Sequence, residues 1–428
     1  MKLPERPIDV KKLLNEDLER FKKAIASKDF LETATKYNKR YLYFSELKYR
    51  MDDKIERGYL WALMKMLRRN NYEELSLGDL KMKYTLLPKF NKKLHLFDKN
   101  LAGHIKVDGK SLNLQESYII SSLMEEAIAS SQIEGAATTR KIAKAMLREK
   151  RKPKNESEKM IVNNYNTLQF ILRKQEENIT PELILGIQEM VTKDTLEDSE
   201  DEGKFRDNND IAVRSDEVVA HVPPDYKKIK SLMKIFCDFA NESSKEFVHP
   251  ILKGIILHFL IGYIHPFNDG NGRTARSIFY WYMLKQGYWL FEYMAVSKRI
   301  LRSRKNYDLA YLYTEYDDMD LTYFLNYNLE AIEDSLKDMI IYIKKQEEEQ
   351  IKTKEIIAKN PDLNLRQALI FEEFMKNPLK LFTLKEISET YGIVYETART
   401  DLNMLRNKGL IERKISGRTF VYSYKNKY

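Results

Sequence analysis

The chain has 428 residues, of which 43% are hydrophobic and 32% charged, and its formal net charge is +9. This length exceeds what one hydrophobic core usually serves, so we expect two or three domains, and the scarcity of Gly and Pro indicates a helix-rich protein. Cys237 is the single cysteine, which excludes an internal disulfide and favours a reducing, cytoplasmic setting. We expect neither a signal peptide nor a membrane span, because charges interrupt the N-terminus and the apolar stretches are short.

The N-terminal part of the chain shows helical periodicity with many charges up to about residue 80, which predicts a helical region over 1–105. Within it, residues 84–112 are interrupted by Pro and Gly, and we expect short strands there. A long helix is predicted over 114–135, where apolar residues recur at helical spacing and Gly135 provides a stop signal. A central domain over 106–345 opens with this helix.

Helical periodicity is lost in the polar segment that precedes the middle of the central domain. Two short extended pieces, 211–213 and 218–222, flank the sequence RSDE and predict a β-hairpin flap. The next segment, 249–264, is apolar nearly all round, which indicates a central buried helix. We expect His258 within it to be a core group, since no histidine shows zinc-ligand spacing to cysteines or carboxylates.

The loop HPFNDGNGRTAR, from His265 to Arg276, concentrates polar chemistry between two apolar helices. Its second half, from Gly270 to Arg273, opens the next helix, and the free N–H groups of a helix start can bind anions. Arg273 and Arg276 can both reach the same ligand. Asp269 is a hard oxygen ligand suited to Mg²⁺, and His265 can accept a proton near neutral pH. This combination predicts phosphoryl or nucleotidyl transfer, and a capped turn with solvated arginines is the alternative.

These residues match every fixed position of the Fic motif, H-x-F-x-(D/E)-G-N-G-R-x-x-R, so the chain resembles the Fic family over about residues 80–335. The resemblance implies a mainly α fold class: a Fic helical core with a small β-hairpin flap. It also implies transfer of AMP from ATP to a Ser, Thr or Tyr hydroxyl of a target protein and of the chain itself. In that reaction His265 would be the base, Asp269 would hold Mg²⁺, and Arg276 would grip the γ-phosphate. The remaining ATP-binding residues implied are Gly270, Asn271, Gly272 and Arg273.

The sequence SSQIEG, Ser130 to Gly135, matches the family's inhibitory signature (S/T)-x-x-x-E-(G/N). The chain in this respect resembles Fic proteins with an N-terminal inhibitory helix. The resemblance implies autoinhibition by Glu134, whose carboxylate is expected to pair bidentately with Arg276 and so leave ATP bound unproductively. An ordinary helix C-terminus is the alternative for this short pattern.

Two further expectations follow from the resemblance. The flap would dock the target by strand addition, with Ile211, Val213 and Val219 clamping the target residue, and a solvated hairpin without a role is the alternative for each of them. Tyr307 would contact the adenine, although Asn306 departs from the commoner Tyr-Tyr pair.

The C-terminal part of the chain has a different organisation. Residues 346–361 are highly charged and predict a linker or a solvated helix. Residues 362–428 read as helix, turn, helix and two-stranded ribbon, which predicts a winged helix-turn-helix. The basic charge of the stretch after Tyr395 favours DNA contact, and protein docking is the alternative.

Two functions therefore stay open. The first is an AMP-transferring enzyme with an accessory binding domain, and the second is a DNA-binding transcriptional regulator whose Fic core senses nucleotide. His265 favours the enzyme, because a sensor has no need of a base. The motif leaves open the transfer of another group, such as UMP or a phosphocholine moiety, and the sequence leaves open whether the chain forms a homodimer.

Overall fold

A computed structural model describes residues 3–51, 53–102, 106–107, 110–111, 116–215, 218–241, 247–377, 380–416 and 419–425. The fold is mainly helical, with small antiparallel sheets, as predicted. The chain divides into two compact units, Met1–Met339 and Ile340–Tyr428. None of the described helices combines the length and apolar composition that a bilayer span requires.

The helices of the first unit, in chain order, are α1 (Val10–Glu16), α2 (Leu18–Ile25), α3 (Lys28–Arg40), α4 (Phe44–Leu47), α5 (Lys54–Arg69), α6 (Pro88–Leu101), α7 (Glu116–Ile133), α8 (Arg140–Glu149), α9 (Glu156–Arg173), α10 (Pro181–Thr192), α11 (Ile229–Asn241), α12 (Pro250–Ile264), α13 (Asn271–Lys285), α14 (Val296–Arg302) and α15 (Arg304–Tyr316). Short 3₁₀ turns occupy Ser199–Asp201, Tyr226–Lys228 and Trp289–Tyr293. The helix α16 (Thr322–Lys359) begins in the first unit and ends in the second, so the charged segment after residue 345 is helical up to Lys359.

The strands of the first unit form three antiparallel pairs: β1 (Tyr72–Leu77) with β2 (Leu80–Thr85), β3 (Lys106–Val107) with β4 (Lys110–Ser111), and β5 (Val213–Ser215) with β6 (Val218–His221). The last pair is the predicted flap. The short strands expected within 84–112 are present as β3 and β4, but a helix that was not predicted, α6, occupies residues 88–101 of that stretch. Pro88 stands at the first helical position of α6, and Phe90, Leu94, Phe97 and Leu101 form its buried face.

The helix α12 lies in the core and is buried along nearly its whole surface, as predicted. Two of its glycines allow neighbours to approach closely. A Cβ atom on Gly254 would lie 2.3 Å from Met283 Cε, and one on Gly262 would lie 2.5 Å from Tyr311 Oη. The sequence of α12 therefore brings α13 and α15 against it, and both helices carry residues of the site described below.

The N-terminal helices are joined to the rest of the first unit by buried polar contacts. Arg68 on α5 donates from Nη1 to Tyr323 Oη over 2.7 Å and from Nη2 to Leu42 O over 2.8 Å. Its Nη1 also lies 3.7 Å from Asp317 Oδ2, and Lys65 Nζ lies 2.7 Å from Asp317 Oδ1. Burial raises the pKa of Asp317 despite these two cations. The pairing is therefore needed to keep this carboxylate charged.

The second unit contains α17 (Leu365–Lys376), β7 (Phe382–Thr383), α18 (Leu384–Tyr391), α19 (Tyr395–Asn407), β8 (Ile411–Ser416) and β9 (Thr419–Tyr424). Its antiparallel sheet has the order β7-β9-β8. The core is built from apolar residues of all three helices and the sheet, among them Phe374, Phe382, Ile387, Leu402 and Tyr422. Three helices followed by a hairpin form the predicted winged helix-turn-helix.

Candidate active site

His265 lies directly after α12 and has a left-handed backbone with φ of 49°. Its N–H donates to Ile261 O over 2.9 Å and so closes the helix. The ring Nδ1 lies 3.2 Å from Gly262 O, and because a carbonyl can only accept, Nδ1 carries the proton. Nε2 is then the acceptor. Burial lowers the pKa of His265 to about 4, so the imidazole is neutral at neutral pH.

Phe267 and Asn271 hold the loop between α12 and α13. The Phe267 ring is fully buried and stacks on Phe205 with ring centroids 5.5 Å apart. The Asn271 side chain accepts from Phe267 N over 3.0 Å and donates to Phe267 O over 2.8 Å. The Asn271 side chain therefore ties the start of α13 back to the loop.

Arg206 is a buried residue that ties the flap segment to this loop, and the sequence analysis missed it. Its backbone N–H donates to Pro266 O over 2.9 Å, and its Nε donates to His265 O over 2.9 Å. Nη1 donates to Asn208 O over 2.7 Å and Nη2 to Pro224 O over 2.5 Å. Arg206 therefore connects both ends of the flap to the backbone of the histidine. The sequence contains no signal for this role, because Arg206 stands in a charged loop where a solvated arginine is the ordinary expectation.

The start of α13 offers unpaired backbone N–H groups. Thr274 N donates to Gly270 O over 2.9 Å, so the three preceding amides come before the first hydrogen bond within the helix. Gly270 has φ of 83°, and a Cβ there would lie 2.6 Å from Thr192 Cγ2. A Cβ on Gly272 would lie 2.3 Å from Glu134 Oε1. Gly270 is therefore required by its backbone conformation and its neighbour, and the absence of a side chain at Gly272 leaves the space that the Glu134 carboxylate occupies.

Arg276 is buried on α13 and connects it to the end of α7. Its Nε donates to Ser130 Oγ over 2.8 Å, and its Nη2 donates to Ser130 O and to Glu134 Oε1, each over 2.9 Å. The expected bidentate pair with Glu134 is therefore wrong: one carboxylate oxygen accepts from Nη2, and Nε and Nη2 also donate to Ser130. Arg276 Nη1 is buried without a hydrogen-bond partner among the described residues.

Glu134 lies one residue beyond α7, where the chain turns at Gly135. Gly135 has φ of 99°, and Ala136 N donates to Ser131 O over 3.1 Å, which closes the helix end. Desolvation would raise the pKa of Glu134, but the charges of Arg276 and Arg304 outweigh it, and the pKa is lowered. Glu134 is thus a carboxylate at neutral pH.

A cavity of about 220 Å³ lies between α7, α12, α13, α15 and the flap. His265, Gly272, Arg276 and Glu134 all line it, so the catalytic and inhibitory motifs meet in one place although about 130 residues of sequence lie between them. The other residues named from the sequence that line it are Asn271, Val213 and Tyr307. Residues that line it without having been foreseen include Arg214, His221, Arg304, Tyr311 and Glu315.

Asp269 and Arg273 are not among the residues that line this cavity. The Arg273 side chain is buried, donates from Nη1 to Val191 O over 2.6 Å, and has Nη2 at 3.5 Å from Asp269 Oδ2. Its Nε has no hydrogen-bond partner among the described residues. The Asp269 side chain is 61% exposed, and its Oδ1 accepts from Gly270 N over 2.5 Å. Arg273 therefore supports the loop from within, and Asp269 keeps a carboxylate oxygen open to solvent.

The flap stands over the cavity and is anchored at its base. Val213 pairs with His221, and the register shifts between Val213 and Arg214. Val219 is exposed opposite Arg214, and Ile211 lies before the first strand of the hairpin. The hairpin tip, residues 216–217, lies outside the described residues.

His221 is the anchor that sequence reasoning did not foresee. One ring nitrogen lies 2.7 Å from Glu315 Oε2 and the other 2.8 Å from Tyr263 O. These contacts hold the end of β6 to both α12 and α15. His221 therefore has a structural partner on each side and is not free to act as a second base.

Tyr307 is buried on α15 beside Arg276. Its hydroxyl lies 2.8 Å from His258 Nε2. Burial, assisted by the charge of Arg276, lowers the pKa of His258 to about 3, so His258 is a neutral core group, as predicted. Tyr307 is among the residues that line the cavity, and its contact with adenine stays a prediction.

No cluster of three or more His, Cys, Asp or Glu side chains suited to a metal occurs in the part of the chain that the structure describes. A Mg²⁺ ion carried by substrate phosphates needs only one or two carboxylates, which Asp269 can satisfy.

Comparison with known proteins finds similarity over two segments of the chain. The Fic/DOC family model matches residues 178–283, and a DeoR-like helix-turn-helix domain model matches residues 366–423. The protein adenylyltransferase Fic of Nematostella vectensis is 38% identical over 68 residues, which are 16% of this chain and 16% of that protein. The matching segment thus spans about a sixth of the length of this curated relative.

Two solved structures resemble the fold over most of the chain. A Fic family protein from Desulfovibrio desulfuricans G20 has a TM-score of 0.51 at 19% identity, covering 81% of this chain and 98% of that one. A fragment of Fic-1 from C. elegans has a TM-score of 0.53 at 17% identity, covering 79% and 90%. At these identities the likeness concerns the fold. The chain therefore contains a segment similar to the Fic/DOC family, residues 178–283, followed by one similar to a DeoR-like helix-turn-helix domain, residues 366–423.

Proposed function

We propose that this protein is an adenylyltransferase that transfers AMP from ATP to a Ser, Thr or Tyr hydroxyl of a target protein and of itself, and that Glu134 holds it inactive. The observation that carries the proposal is the shared cavity, in which a neutral His265, the N-terminus of α13, Arg276 and Glu134 meet. A base, an anion site and a competing carboxylate are the parts that an autoinhibited nucleotidyl transfer needs.

The triphosphate would occupy the start of α13. The N–H groups of residues 271–273 and the positive end of the helix dipole attract phosphate oxygens. The buried, unpartnered Nη1 of Arg276 adds a donor that no described protein atom satisfies. An acceptor from the ligand would remove this unfavourable burial, which supports an anionic substrate at this place.

His265 would take the proton from the target hydroxyl. The protonated Nδ1 donates to Gly262 O, so Nε2 holds the lone pair that accepts the proton. The hydroxyl oxygen then forms a bond to the α-phosphorus of ATP, and the bond from that phosphorus to the bridging oxygen breaks. Pyrophosphate leaves with the electron pair, and AMP remains on the target. Arg206, which accepts no proton, keeps the backbone of His265 in place.

Asp269 is the residue that would hold Mg²⁺. Its exposed carboxylate is a hard oxygen ligand beside the proposed triphosphate site, and the ion would neutralise phosphate charge when bound.

Glu134 would inhibit by pairing with Arg276, the residue expected to bind the γ-phosphate. Its Oε1 accepts from Arg276 Nη2 and fills the space beside Gly272, where a phosphate would otherwise approach the helix. A carboxylate at this position also repels a triphosphate. ATP bound beside it would be misplaced, and the rate is sensitive to misplacement of the reacting groups by about 1 Å.

The test of this function uses the Glu134→Gly variant with radiolabelled ATP, GTP, CTP, UTP and CDP-choline in separate reactions. The proposal is supported if ATP labels the Glu134→Gly protein but labels neither wild type nor the variant that combines Glu134→Gly with His265→Ala. Labelling from another donor in place of ATP would favour a Fic enzyme with a different transferred group. Absence of labelling from every donor would overturn the enzymatic function.

A second function, DNA binding, is favoured by the surface of the C-terminal unit. Val394 and Tyr395 are exposed at the start of α19, the second helix of the helix-turn-helix, which would enter a major groove. On the β8–β9 wing, Arg413 packs over the Phe420 ring at 4.3 Å, and the Lys414 side chain is 60% exposed. Fluorescence anisotropy with labelled duplexes tests this, and affinity that falls steeply with salt is expected. Nucleotide-dependent affinity for DNA, without AMP transfer by any variant, would favour the nucleotide-sensing regulator.

A further inference from the structure

Arg304 connects the first turn of α15 to the end of α7, the helix that carries the inhibitory signature. Its Nη1 donates to the carbonyl oxygen of Ile133, the last residue of α7. Its Nε donates to Asp308 Oδ1 over 2.8 Å, one turn later on α15. Asp308 therefore fixes one side of the Arg304 guanidinium, and the other side of the guanidinium contacts the end of α7.

The position of this contact matters because Ile133 directly precedes Glu134. The last carbonyls of a helix have no partner within the helix and carry the negative end of its dipole, so a cation there satisfies a hydrogen bond and a charge together. Arg304 also lines the cavity that Glu134 faces. Its charge is one of those that hold Glu134 in the ionised form.

The end of α7 is thus held from two helices. From α13, Arg276 contacts Ser130 and Glu134. From α15, Arg304 donates to the carbonyl of Ile133, which lies between Ser130 and Glu134 in the sequence. Arg276 cannot be removed without removing a substrate ligand, whereas Arg304 lies outside both motifs.

We propose that Arg304 is a positioning residue for autoinhibition: by fixing the carbonyl of Ile133, with Asp308 as its support, it keeps the Glu134 carboxylate opposite Arg276. The inference rests on the proposed function in one respect, that Glu134 is inhibitory. Its structural part, the fixing of the end of α7, is independent of any catalytic activity.

The structural part is tested by hydrogen exchange on the full chain without nucleotide. In the Arg304→Ala variant, the amides of residues 131–136 should exchange roughly tenfold faster than in wild type, as expected for the loss of one charge-assisted hydrogen bond at a helix end. The matched control is Arg302→Ala. Arg302 Nη1 lies 3.1 Å from Asp338 Oδ2, and Arg302 does not line the cavity, so its removal should leave these amides unchanged.

The regulatory part is tested by AMP incorporation from labelled ATP. Arg304→Ala should raise incorporation about three- to thirtyfold over wild type. Arg304→Lys should restore part of the inhibition, because an ammonium keeps the charge but lacks the planar fork that reaches two acceptors. In a Glu134→Gly background the same substitution should bring no further gain.

Unchanged exchange at residues 131–136 in Arg304→Ala would overturn the proposal. So would equal incorporation by Arg304→Ala and Arg302→Ala in a preparation whose Glu134→Gly variant is active. A loss of activity on adding Arg304→Ala to Glu134→Gly, with unchanged exchange, would instead assign Arg304 to nucleotide binding. If no variant transferred AMP while exchange rose as expected, the proposed function would fail and the structural inference would stand.

Discussion

At the residue scale, the central feature is a histidine whose chemistry depends on its surroundings. The motif identifies His265 from the sequence, but neither its burial nor its protonated nitrogen can be read there. Both arise because α12 ends in a left-handed residue that places Nδ1 against Gly262 O. The same burial lowers the pKa of the ring to about 4, well below the 6.5 of an unperturbed imidazole.

This low pKa predicts an unusual pH profile for AMP transfer. A base must be unprotonated, so its rate contribution is lost as the pH falls through its pKa in the folded protein. In the Glu134→Gly variant, the rate of transfer should therefore stay level from about pH 8 to about pH 5 and fall only near the pKa of about 4. Initial rates across this range measure it, with folding checked by circular dichroism at each pH. An acid limb centred near 6.5 would show that His265 is not buried as described.

The motif predicts only part of the contacts at the C-terminal end of α7. The sequence predicts the partnership of Glu134 with Arg276, because both stand at fixed motif positions. It does not predict that Ser130 accepts two of the hydrogen bonds of Arg276 or that one carboxylate oxygen of Glu134 is engaged. These details depend on the tertiary packing of α7 against α13, which the motif does not specify.

At the element scale, one buried arginine, Arg206, connects the flap to the loop that carries His265. Arg206 donates to carbonyls on both sides of the flap and to the backbone of His265. Local sequence cannot reveal this, because its partners are backbone carbonyls distant along the chain. The apolar pattern of α12, by contrast, is local and strong, and it was sufficient to predict a buried helix.

Arg206 should therefore affect catalysis more than binding. In the Glu134→Gly background, Arg206→Ala is expected to lower kcat for AMP transfer about tenfold or more, since the histidine backbone loses its support. The KM for ATP should change less than about threefold, because Arg206 does not line the triphosphate site. Steady-state kinetics measure both values. An unchanged kcat with a strongly raised KM would contradict the positioning role.

The hairpin β1–β2 and the helix α6 were missed for different reasons. The turn of the hairpin is Gly78-Asp79, a two-residue signal that was available in the sequence, but charges at Glu73 and Glu74 obscure the alternation of the first strand. For α6, Pro88 suggests an interruption, whereas it stands at the first helical position, where proline is favourable.

The stability of the first unit should depend strongly on Arg68, which connects the N-terminal helices to the rest of the unit. Arg68→Met removes the donor to Tyr323 and Leu42 and leaves the buried Asp317 with one cation. We expect the free energy of unfolding of the first unit to fall by about 3–5 kcal/mol. Urea unfolding followed by tryptophan fluorescence measures it, with the exposed Arg302→Met as the matched control, which should change stability by no more than about 0.5 kcal/mol. A loss for Arg68→Met no larger than that of the control would refute this assignment.

At the scale of the whole molecule, two units of different chemistry share one chain. The sequence predicts both from separate signals, the Fic motif and the helix–turn–helix–ribbon pattern, because each signal lies within a single unit. The proposed AMP transfer and the proposed DNA binding involve residues of different units, so each can be tested in variants that leave the other unit unchanged.

Removing positive charge from the second unit should weaken DNA binding without affecting AMP transfer. Arg399→Ala combined with Lys414→Ala removes two exposed cations from α19 and the wing. Affinity for duplex DNA should weaken, and the slope of its logarithm against the logarithm of salt concentration should become shallower by about 2. AMP transfer by the Glu134→Gly form should be unaffected. An unchanged salt slope would remove α19 and the wing from the DNA-contacting surface.

The proposed function depends on His265 as a base and on an anion site at the start of α13 that Glu134 blocks. Intact-mass spectrometry of the protein after incubation with ATP and Mg²⁺ measures this most directly, on Glu134→Gly and on Glu134→Gly combined with His265→Ala. We predict the added mass of AMP on the first variant and its absence from the second and from wild type. An unmodified Glu134→Gly protein, or equal modification with and without His265, would contradict it.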